Sequence, residues 1–452
     1  MAQRDLTRGS VPGMLLVLAL PVMGSFILQS LYGLADLYFV GLVGGPAVAG
    51  LGVSLNTFFV ILALGQTIGI GTMALSARAY GARDFPLVTR IFHQTFILMV
   101  GVGATCWLVA YLATDSYVSF FTADPAVHAE GVRYFRIYSA TFLLQLFLMV
   151  NGYARRAVGD FITPTLLMAL SVVANVVLDP LLIFGIGPFP ELGIAGAAYA
   201  TVIAQGGAAV IYLWQTFRPW GASLLVLRGS LRLEGALMGR MLRIGFPSGL
   251  EFLMFSAITI LMYRFVRPFG GDATGGLAVG FRVIHSLLIP AVGIGIALSA
   301  MVGQSLGAGL SSRVRRAAAW GTFYICSYFV VAFVVISLDP AFWVGLFSDL
   351  PGILAVGGLY LFISGLVLPL NGLGMVIVFT AQGLGRTLPP LAAMTARFLV
   401  FLALMGLLEV FSAVTVGAIF WSGAAATAVE TLLLTGVLFA LLRRLPADRV
   451  PT

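Results

Sequence analysis

The chain has 452 residues, of which 60% are apolar and 9% charged, and its formal net charge is +8. A mean hydropathy of +1.04 excludes an ordinary soluble domain, because so apolar a chain must present most of its surface to lipid. Apolar runs of about 20 residues recur along the whole chain, and each is long enough to cross a bilayer as a helix. The composition therefore predicts an all-α, polytopic membrane protein.

The apolar runs predict twelve transmembrane helices. Their approximate limits, in chain order, are 14–40, 47–75, 89–113, 131–153, 162–186, 194–217, 243–267, 276–303, 318–338, 355–380, 388–412 and 415–442.

The first span carries a polar stripe on an otherwise apolar helix. Residues at helical spacing share this face, namely Ser25, Gln29, Tyr32 and Asp36. A carboxylate at hydrocarbon depth costs roughly 2.5 kcal/mol or more, and such residues usually mark an ion, proton or substrate path. Pro21 removes a backbone hydrogen bond from the same span, so it predicts either a hinge that responds to Asp36 or a static kink.

The fifth span holds a second acid, Asp179, four residues after Asn175 and therefore on the same face. The first and fifth spans run in the same direction, so Asp36 and Asp179 are expected at similar depth in the outer half of the membrane. Two carboxylates in one low-dielectric pocket share a proton or bind a cation, because ionising both is unfavourable. The alternative is a buried acid that is hydrogen-bonded to an Asn or Tyr and serves folding alone.

The arginines predict the topology. The chain contains no lysine, and its arginines concentrate in alternate connections, while the other connections carry acids. By the positive-inside rule both termini are cytoplasmic, and we expect a multi-pass protein of the plasma (inner) membrane. The positive net charge then reflects topology, and no nucleic-acid partner is expected.

The two halves of the chain repeat each other at an offset of 226 residues. The repeated residues include Pro21 with Pro247, Arg90 with Arg316, Gly159 with Gly385, and Pro164 with Pro390. Each half holds six spans, so the halves share one orientation and are related by a pseudo-two-fold axis along the membrane normal. We expect an N-lobe over 1–217, a cytoplasmic linker over 218–242 and a C-lobe over 243–452. Two rocking lobes around a cavity are typical of a transporter.

The sequence lacks the motifs of common enzyme sites. A P-loop needs a lysine, and no HExxH or GxGxxG motif is present. We therefore expect no enzymatic activity and no cofactor, which leaves secondary transport.

Two stretches make the chain similar to a known family. RAVGDFITPTLL over 156–167 and NVVLDPLLIFGIGPFPELGIAGAAYAT over 175–201 closely resemble the signature of the multidrug and toxic compound extrusion (MATE) family, and ALPVMGSFILQSLYGLADLYFVG over 19–41 resembles its opening helix. The resemblance implies twelve helices in two six-helix lobes, alternating access, and export of drug-like, often cationic small molecules in exchange for H⁺ or Na⁺.

The resemblance also implies roles for individual residues. The implied coupling site comprises Asp36, Asn175, Asp179 and Thr201, and the first three are the residues that would hold Na⁺. Pro21 is implied as the bending proline, and the implied N-lobe substrate cavity is lined by Gln29, Tyr32 and Asn151.

In the second half the match to the family is incomplete. Glu251 stands where many members keep an acid, but the tenth span has no acidic partner, and Asn371 is its nearest polar candidate. We therefore place energisation mainly in the N-lobe. The residues that follow Glu251 on or near its face predict an adaptable apolar wall beside one negative charge, suited to lipophilic cations; they are Met254, Phe255, Ile258 and Met262. The alternative for this stripe is plain packing or lipid contact.

Two further embedded charges, Arg397 and Glu430, predict an ion pair inside the C-lobe. Arg282, His285 and Glu409 leave other pairings open.

Two other functions are alternatives to export by antiport. A lipid-linked oligosaccharide flippase of the same superfamily is expected to have an arginine-rich cavity, whereas the inferred N-lobe residues are acidic or neutral. A channel is expected to show a repeated selectivity element and an oligomeric pore, and neither is visible. We expect a monomer that contacts membrane lipid.

Overall fold

The computed structural model describes residues 4–217, 224–227 and 232–448, apart from the side chains of residues 55 and 56. These described residues form helices and connecting turns without β-strands, which confirms the all-α fold class. Many helices expose large apolar side chains, such as Leu112 (73% exposed) and Leu432 (74% exposed). Such exposure is favourable only where lipid surrounds the protein.

Packing divides the chain into two compact units. Unit 1 comprises Met1–Asp5 and Gly24–Gly249, and unit 2 comprises Leu6–Met23 and Leu250–Thr452.

The helices of the first half are α1 (Val11–Gly41), α2 (Gly45–Gly81), α3 (Phe85–Leu112), α4 (Thr114–Phe121), α5 (Pro125–Tyr138), α6 (Ala140–Ala157), α7 (Ile162–Ile183) and α8 (Ile194–Phe217). Within unit 1, α7 and α8 pack closely, as do α2 and α6. One apolar core of this unit includes the buried side chains of Phe92, Leu146 and Tyr212. Proline in the first turn begins α2, α3 and α5, where its missing N–H leaves no helical hydrogen bond unmade.

The helices of the second half are α9 (Gly235–Val266), α10 (Gly271–Gly307), α11 (Ser311–Leu338), α12 (Pro340–Gly345), α13 (Pro351–Leu366), α14 (Leu368–Gly383), α15 (Leu388–Val410) and α16 (Val416–Arg443), with a 3₁₀ turn at Arg267–Phe269. This order repeats that of the first half, including a short helix, α4 or α12, before a bent pair.

The described residues contain 10 single helices that are long and apolar enough to cross a membrane, and up to 12 spans if each bent pair counts as one. The bent pairs are α5 with α6 (43°) and α13 with α14 (52°). The sequence predicted each pair as one uninterrupted span, 131–153 and 355–380. Hydropathy could not reveal the bends, because it measures the apolar length of a segment and not the direction of its helix axis.

α1 and α9 each contribute to both units. Residues 11–23 of α1 pack in unit 2, together with the preceding segment. The Arg313 guanidinium on α11 holds that segment by donating to the carbonyls of Leu6 (2.9 Å), Arg8 (2.9 Å) and Gly9 (2.8 Å). Charge-assisted bonds of this kind are stronger than neutral ones, so they fix the approach to α1.

Residues 235–249 of α9 belong to unit 1. There Gly71 lies against the Met241 backbone and Gly245 against the Thr67 backbone, each so close that a Cβ would collide. Glycine permits these close helix contacts because it has no side chain.

This division differs from the predicted lobes 1–217 and 243–452. The predicted lobes were divided by position in the sequence, so each of α1 and α9 was expected to lie wholly in one lobe. Packing instead divides both helices, since their first halves make their contacts in the other unit.

The predicted linker 218–242 also differs from the structure, because α9 already begins at Gly235. Arginines lower the hydropathy of its first turns, although a helix can extend beyond the hydrocarbon. Residues 218–223 and 228–231 of this linker lie outside the described residues.

The described linker residues are held along the start of α3. Thr89 Oγ1 donates to the Leu224 carbonyl (3.1 Å), and Gln94 Nε2 donates to that of Arg232 (2.8 Å). Arg90 forms an ion pair with Glu234, and this hydrogen-bonded cation lowers the pKa of Glu234. The linker therefore packs on unit 1 before it enters α9.

Candidate functional site

The structure brings Asp36 of α1 and Asp179 of α7 together inside unit 1. Asp36 is 8% exposed and Asp179 is fully buried, and their carboxyl groups lie within hydrogen-bonding reach of each other. We call these two residues the acid pair. Two carboxylates in contact away from water repel strongly, so the pair is not stable with both groups ionised and nothing between them.

Asn175 and Thr201 complete this cluster, as their predicted roles require. Asn175 lies one turn before Asp179 on α7 and donates from Nδ2 to Asp179 Oδ1 (3.2 Å). Thr201, on α8, lies beside Asp36 and donates its hydroxyl to the carbonyl of Ala197 (3.0 Å). All four predicted coupling residues therefore lie in one buried cluster.

Three oxygen atoms of this cluster are buried without a donor among the described residues. They are Asp36 Oδ1, Asn175 Oδ1 and Asp179 Oδ2. A buried acceptor without a donor typically costs about 1–3 kcal/mol, and a charged one more. A proton or a hard cation such as Na⁺ would satisfy these atoms, since both bind to carboxylate and amide oxygens.

Three tyrosines surround the acid pair. Tyr32 of α1 is 8% exposed, and its hydroxyl lies 3.5 Å from the Thr201 carbonyl. Tyr134 and Tyr138 of α5 are close enough to interact electrostatically with Asp36, and their rings stack with centroids 5.1 Å apart. Neither of these two α5 residues was predicted from the sequence. Their spacing of four placed them on one helix face, but nothing in the sequence related that face to α1.

The rest of the polar stripe on α1 also faces unit 1. The Ser25 and Thr165 hydroxyls lie 2.8 Å apart and join α1 to α7, and Gln29 is half-buried on the same helix.

Asn151, which was predicted to share a substrate cavity with Gln29 and Tyr32, lies elsewhere. Its side chain is 1% exposed in the core of unit 1 and donates to the Phe147 carbonyl (2.9 Å) and towards Met99 Sδ (3.4 Å). The structure therefore does not place Asn151 on the surface of a cavity. Its amide bonds to its own helix and to a core methionine, a packing that the resemblance could not reveal.

Pro21 lies inside α1, which continues through it as one helix from Val11 to Gly41. Its role as a hinge therefore stays a prediction. It stands three residues before Gly24, where α1 passes from unit 2 to unit 1.

Unit 2 contains a smaller charged cluster. Arg397 Nη1 donates to Glu430 Oε2 (2.9 Å), which confirms the predicted pairing. Glu251 of α9 is half-buried and close enough to Glu430 for their negative charges to repel each other. These three side chains carry a net charge of −1 when all are ionised.

Beside this cluster lies a cavity of about 100 Å³ in unit 2. Arg397, Asn371 and Phe255 line it, along with several other aromatic side chains. Glu251 and Met254 lie outside its lining, and Met254 Sδ instead accepts from Thr395 Oγ1 (3.6 Å). Of the wall residues predicted on α9, Phe255, Ile258 and Met262 therefore face this space, and Met254 does not.

Replacing Arg397 with Gln is expected to lower the free energy of unfolding by about 3 kcal/mol, because it leaves Glu430 and Glu251 uncompensated. Glu430→Gln should lower the free energy of unfolding by less. It leaves Arg397 without its ion-pair partner, but it also removes the charge that repels Glu251. Thermal unfolding in detergent measures both, with the exposed Glu409→Gln on α15 as control. Equal losses for the two variants would show that Glu251 does not belong to the cluster.

Among the described residues, no group of three or more His, Cys, Asp or Glu side chains could hold a metal ion. The acid pair differs from such a centre in having two acids supplemented by neutral oxygens. This composition suits an ion that is bound and released.

Comparison with known proteins agrees with this arrangement. A family model described as MatE matches residues 21–181 and 247–408, two ranges that start at the offset of the internal repeat. The chain is 26% identical to "Probable multidrug resistance protein NorM" of Thermotoga maritima, over 83% of this chain and 81% of that protein. It is 25% identical to a "FAD transporter" of Shewanella oneidensis, over 77% of this chain and 76% of that protein.

Solved structures show the same fold. The TM-score is 0.90 to a MOP superfamily transporter from Pyrococcus furiosus, at 22% identity over 98% of this chain and 99% of the other. It is 0.89 to an outward-facing multidrug resistance MATE family transporter, at 22% identity over 99% of both chains.

Proposed function

The chain belongs to the MatE family of membrane transporters, which are not enzymes, and from that premise we propose that it is a secondary active antiporter. It exports drug-like organic compounds, often cationic, in exchange for H⁺ or Na⁺ by alternating access. We further propose that it works as a monomer in the plasma membrane with both termini in the cytoplasm.

The observation that supports this proposal is the buried cluster around the acid pair. Three of its oxygen atoms lack hydrogen-bond donors among the described residues. Burial away from water favours a pair that holds one proton or one Na⁺, because the doubly ionised form leaves two negative charges in contact. Release of that ion becomes favourable only when water reaches the carboxylates. Ion release is therefore linked to opening of the site, as coupled transport requires.

Asp36 and Asp179 carry the ion, and Asn175 and Thr201 orient them. Asn175 Nδ2 holds Asp179 Oδ1, which leaves Oδ2 for the ion. Tyr32, Tyr134 and Tyr138 are buried near Asp36. Little water is therefore present to screen the charge of the ion, so its binding is strong.

Dye efflux is measured in inverted vesicles, where the cytoplasmic face points outward and export appears as uptake of dye into the lumen. A substrate dye is added outside vesicles that contain the protein, and these are energised separately with a pH gradient and with a Na⁺ gradient. We expect one of the two gradients to drive transport well above that of vesicles without protein. Absence of transport under either gradient, with dyes of several chemical classes, would contradict antiport.

For the cargo, we propose that Glu251 favours cationic compounds. The cluster of Glu251, Glu430 and Arg397 has a net negative charge next to an aromatic-lined cavity, which suits a lipophilic cation. The names of several relatives refer to multidrug resistance or export, which supports small organic compounds as substrates.

Glu251→Gln is expected to slow efflux of a cationic dye about tenfold, and that of a neutral drug much less, because only the cation loses a charge partner. Initial efflux rates for both substrates in the same vesicles measure this difference. Glu409→Gln, an exposed acid on α15, is the matched control. Equal fractional losses for both substrates would instead place Glu251 in the coupling machinery.

A further inference from the structure

The end of α6 carries two adjacent arginines that play no part in the acid pair. Arg155 is 8% exposed, donates from Nη1 to Asp160 Oδ2 (3.2 Å), and lies over the Tyr212 ring with its guanidinium 5.0 Å from the ring centre. Asp160 also accepts from the Thr163 backbone N–H at the start of α7 (3.0 Å). Arg155 and Asp160 thus form a charge-balanced pair that joins α6 to α7.

Arg156 has no such counterpart among the described residues. Its Nε is buried without a hydrogen-bond partner in this part of the chain, and so is that of Arg155. The ionisable groups around Arg156 are Tyr153, Tyr212 and Asp160. Tyr153 donates its hydroxyl to Gln66 Oε1 (2.8 Å), and Asp160 is already engaged. The cluster therefore has two cations and one anion, and one positive charge is left over.

An uncompensated guanidinium is unfavourable in this environment. Arginine stays protonated and has five N–H donors, so burial without acceptors destabilises the fold. Arg156 is half-buried, and Gly152, one turn earlier on α6, has no side chain that would contact its Nη1.

The internal repeat shows that the turn itself does not need these arginines. The positions equivalent to Arg155 and Arg156 in the second half are Ala381 and Gln382. Both turns use a glycine with positive φ, Gly159 (87°) and Gly385 (69°). Their backbone bonds also match: the amide of residue 160 reaches the carbonyl of 155 (2.9 Å), and that of 386 reaches 381 (2.8 Å). The same turn therefore folds with an alanine and a neutral amide.

We propose that Arg156, together with Arg155 and Tyr212, binds a phosphate group at the end of α6. A guanidinium presents paired N–H donors that match the oxygens of a phosphate, and two neighbouring guanidiniums suit an anion with several acceptors. The arginine distribution predicts that this end of α6 lies on the cytoplasmic side, where the membrane surface carries anionic headgroups. The phosphate belongs either to an anionic lipid or to a soluble cytoplasmic compound.

Thermal unfolding of the full chain in detergent tests the site and separates the two sources. The probes are dioctanoyl phosphatidylglycerol, dioctanoylglycerol as the same lipid without phosphate, and inorganic phosphate against chloride at equal ionic strength. We expect the unfolding temperature to rise by a few degrees with phosphatidylglycerol or with inorganic phosphate, and not with dioctanoylglycerol or chloride. A response to the lipid alone identifies a headgroup, and a response to inorganic phosphate as well identifies a general phosphate site.

Arg156→Gln is the matched variant, because the second half carries Gln382 at the same place. We expect it to weaken phosphate binding at least about tenfold and to leave the unfolding temperature without ligand unchanged or higher, since it removes an unpaired charge. Arg240→Gln, an exposed arginine on α9, should keep the wild-type response. Arg156→Lys keeps the charge without the planar fork, so it should give an intermediate affinity and provides a folded variant if the glutamine variant is unstable.

Two outcomes would overturn the proposal. One is a wild-type protein that responds to neither phosphate probe. The other is an Arg156→Gln protein whose response equals that of the wild type, which would make Arg156 a structural residue.

Discussion

Replacing Asp36 with Asn is expected to reduce gradient-driven efflux to the level of vesicles without protein, while the variant still folds and inserts. Asn has nearly the same shape as Asp but cannot take up or release a proton at neutral pH and binds Na⁺ weakly. The buried cluster then keeps its packing and loses the group that exchanges an ion.

Although Asp36→Asn should abolish efflux, it should make the folded protein more stable. The amide introduced by Asp36→Asn adds a donor to a cluster with buried acceptors that lack one among the described residues. The change also removes the need to bind an ion in order to avoid two charges in contact. We expect the free energy of unfolding to rise by about 1 kcal/mol. Efflux from vesicles and thermal unfolding in detergent measure the two effects, with the exposed Asp349→Asn as control. Near-wild-type efflux by a well-expressed Asp36→Asn protein would contradict the role of the acid pair in coupling.

The second large effect is expected for Asp179. Asp179→Asn should damage efflux nearly as much as the change at Asp36, because both acids bind one ion. The two changes should also be non-additive in stability. Either substitution alone removes the repulsion between the carboxylates, so the second one has no repulsion left to relieve.

A double-mutant cycle on thermal unfolding measures this coupling. We expect the double variant to differ from the sum of the single variants by about 1 kcal/mol or more, within the usual range for residues in contact. Changes that add to within about 0.5 kcal/mol would show that Asp36 and Asp179 belong to separate sites.

The sequence located the acid pair for an energetic reason. A carboxylate within an apolar span is unfavourable unless it has a function, so Asp36 and Asp179 stood out without any knowledge of their contacts. Helical spacing then placed Asn175 with Asp179, because residues four apart share a face. That the two helices meet at these residues is a property of the packing of α1 against α7.

Other residues of the site could not be found in this way. Tyr134 and Tyr138 surround Asp36, yet tyrosine is common in membrane helices and its spacing alone indicates no partner. Asn151 shows the opposite error, since a polar residue near the expected cavity packs in the core of unit 1. In both cases the environment of the side chain depends on how its helix is rotated about its own axis. The sequence of a single helix does not determine this rotation.

By itself, the sequence determined the membrane class, the number of spans and the internal repeat, because these depend on apolar length and residue order along one chain. Tertiary structure alone decided the features that depend on contacts between distant segments. The first halves of α1 and α9 pack outside the units that contain their second halves, where glycine allows close backbone contact and Arg313 holds the segment before α1. Likewise, Arg155 finds Asp160 whereas its neighbour Arg156 finds no acid of its own among the described residues, because adjacent residues on a helix point in different directions.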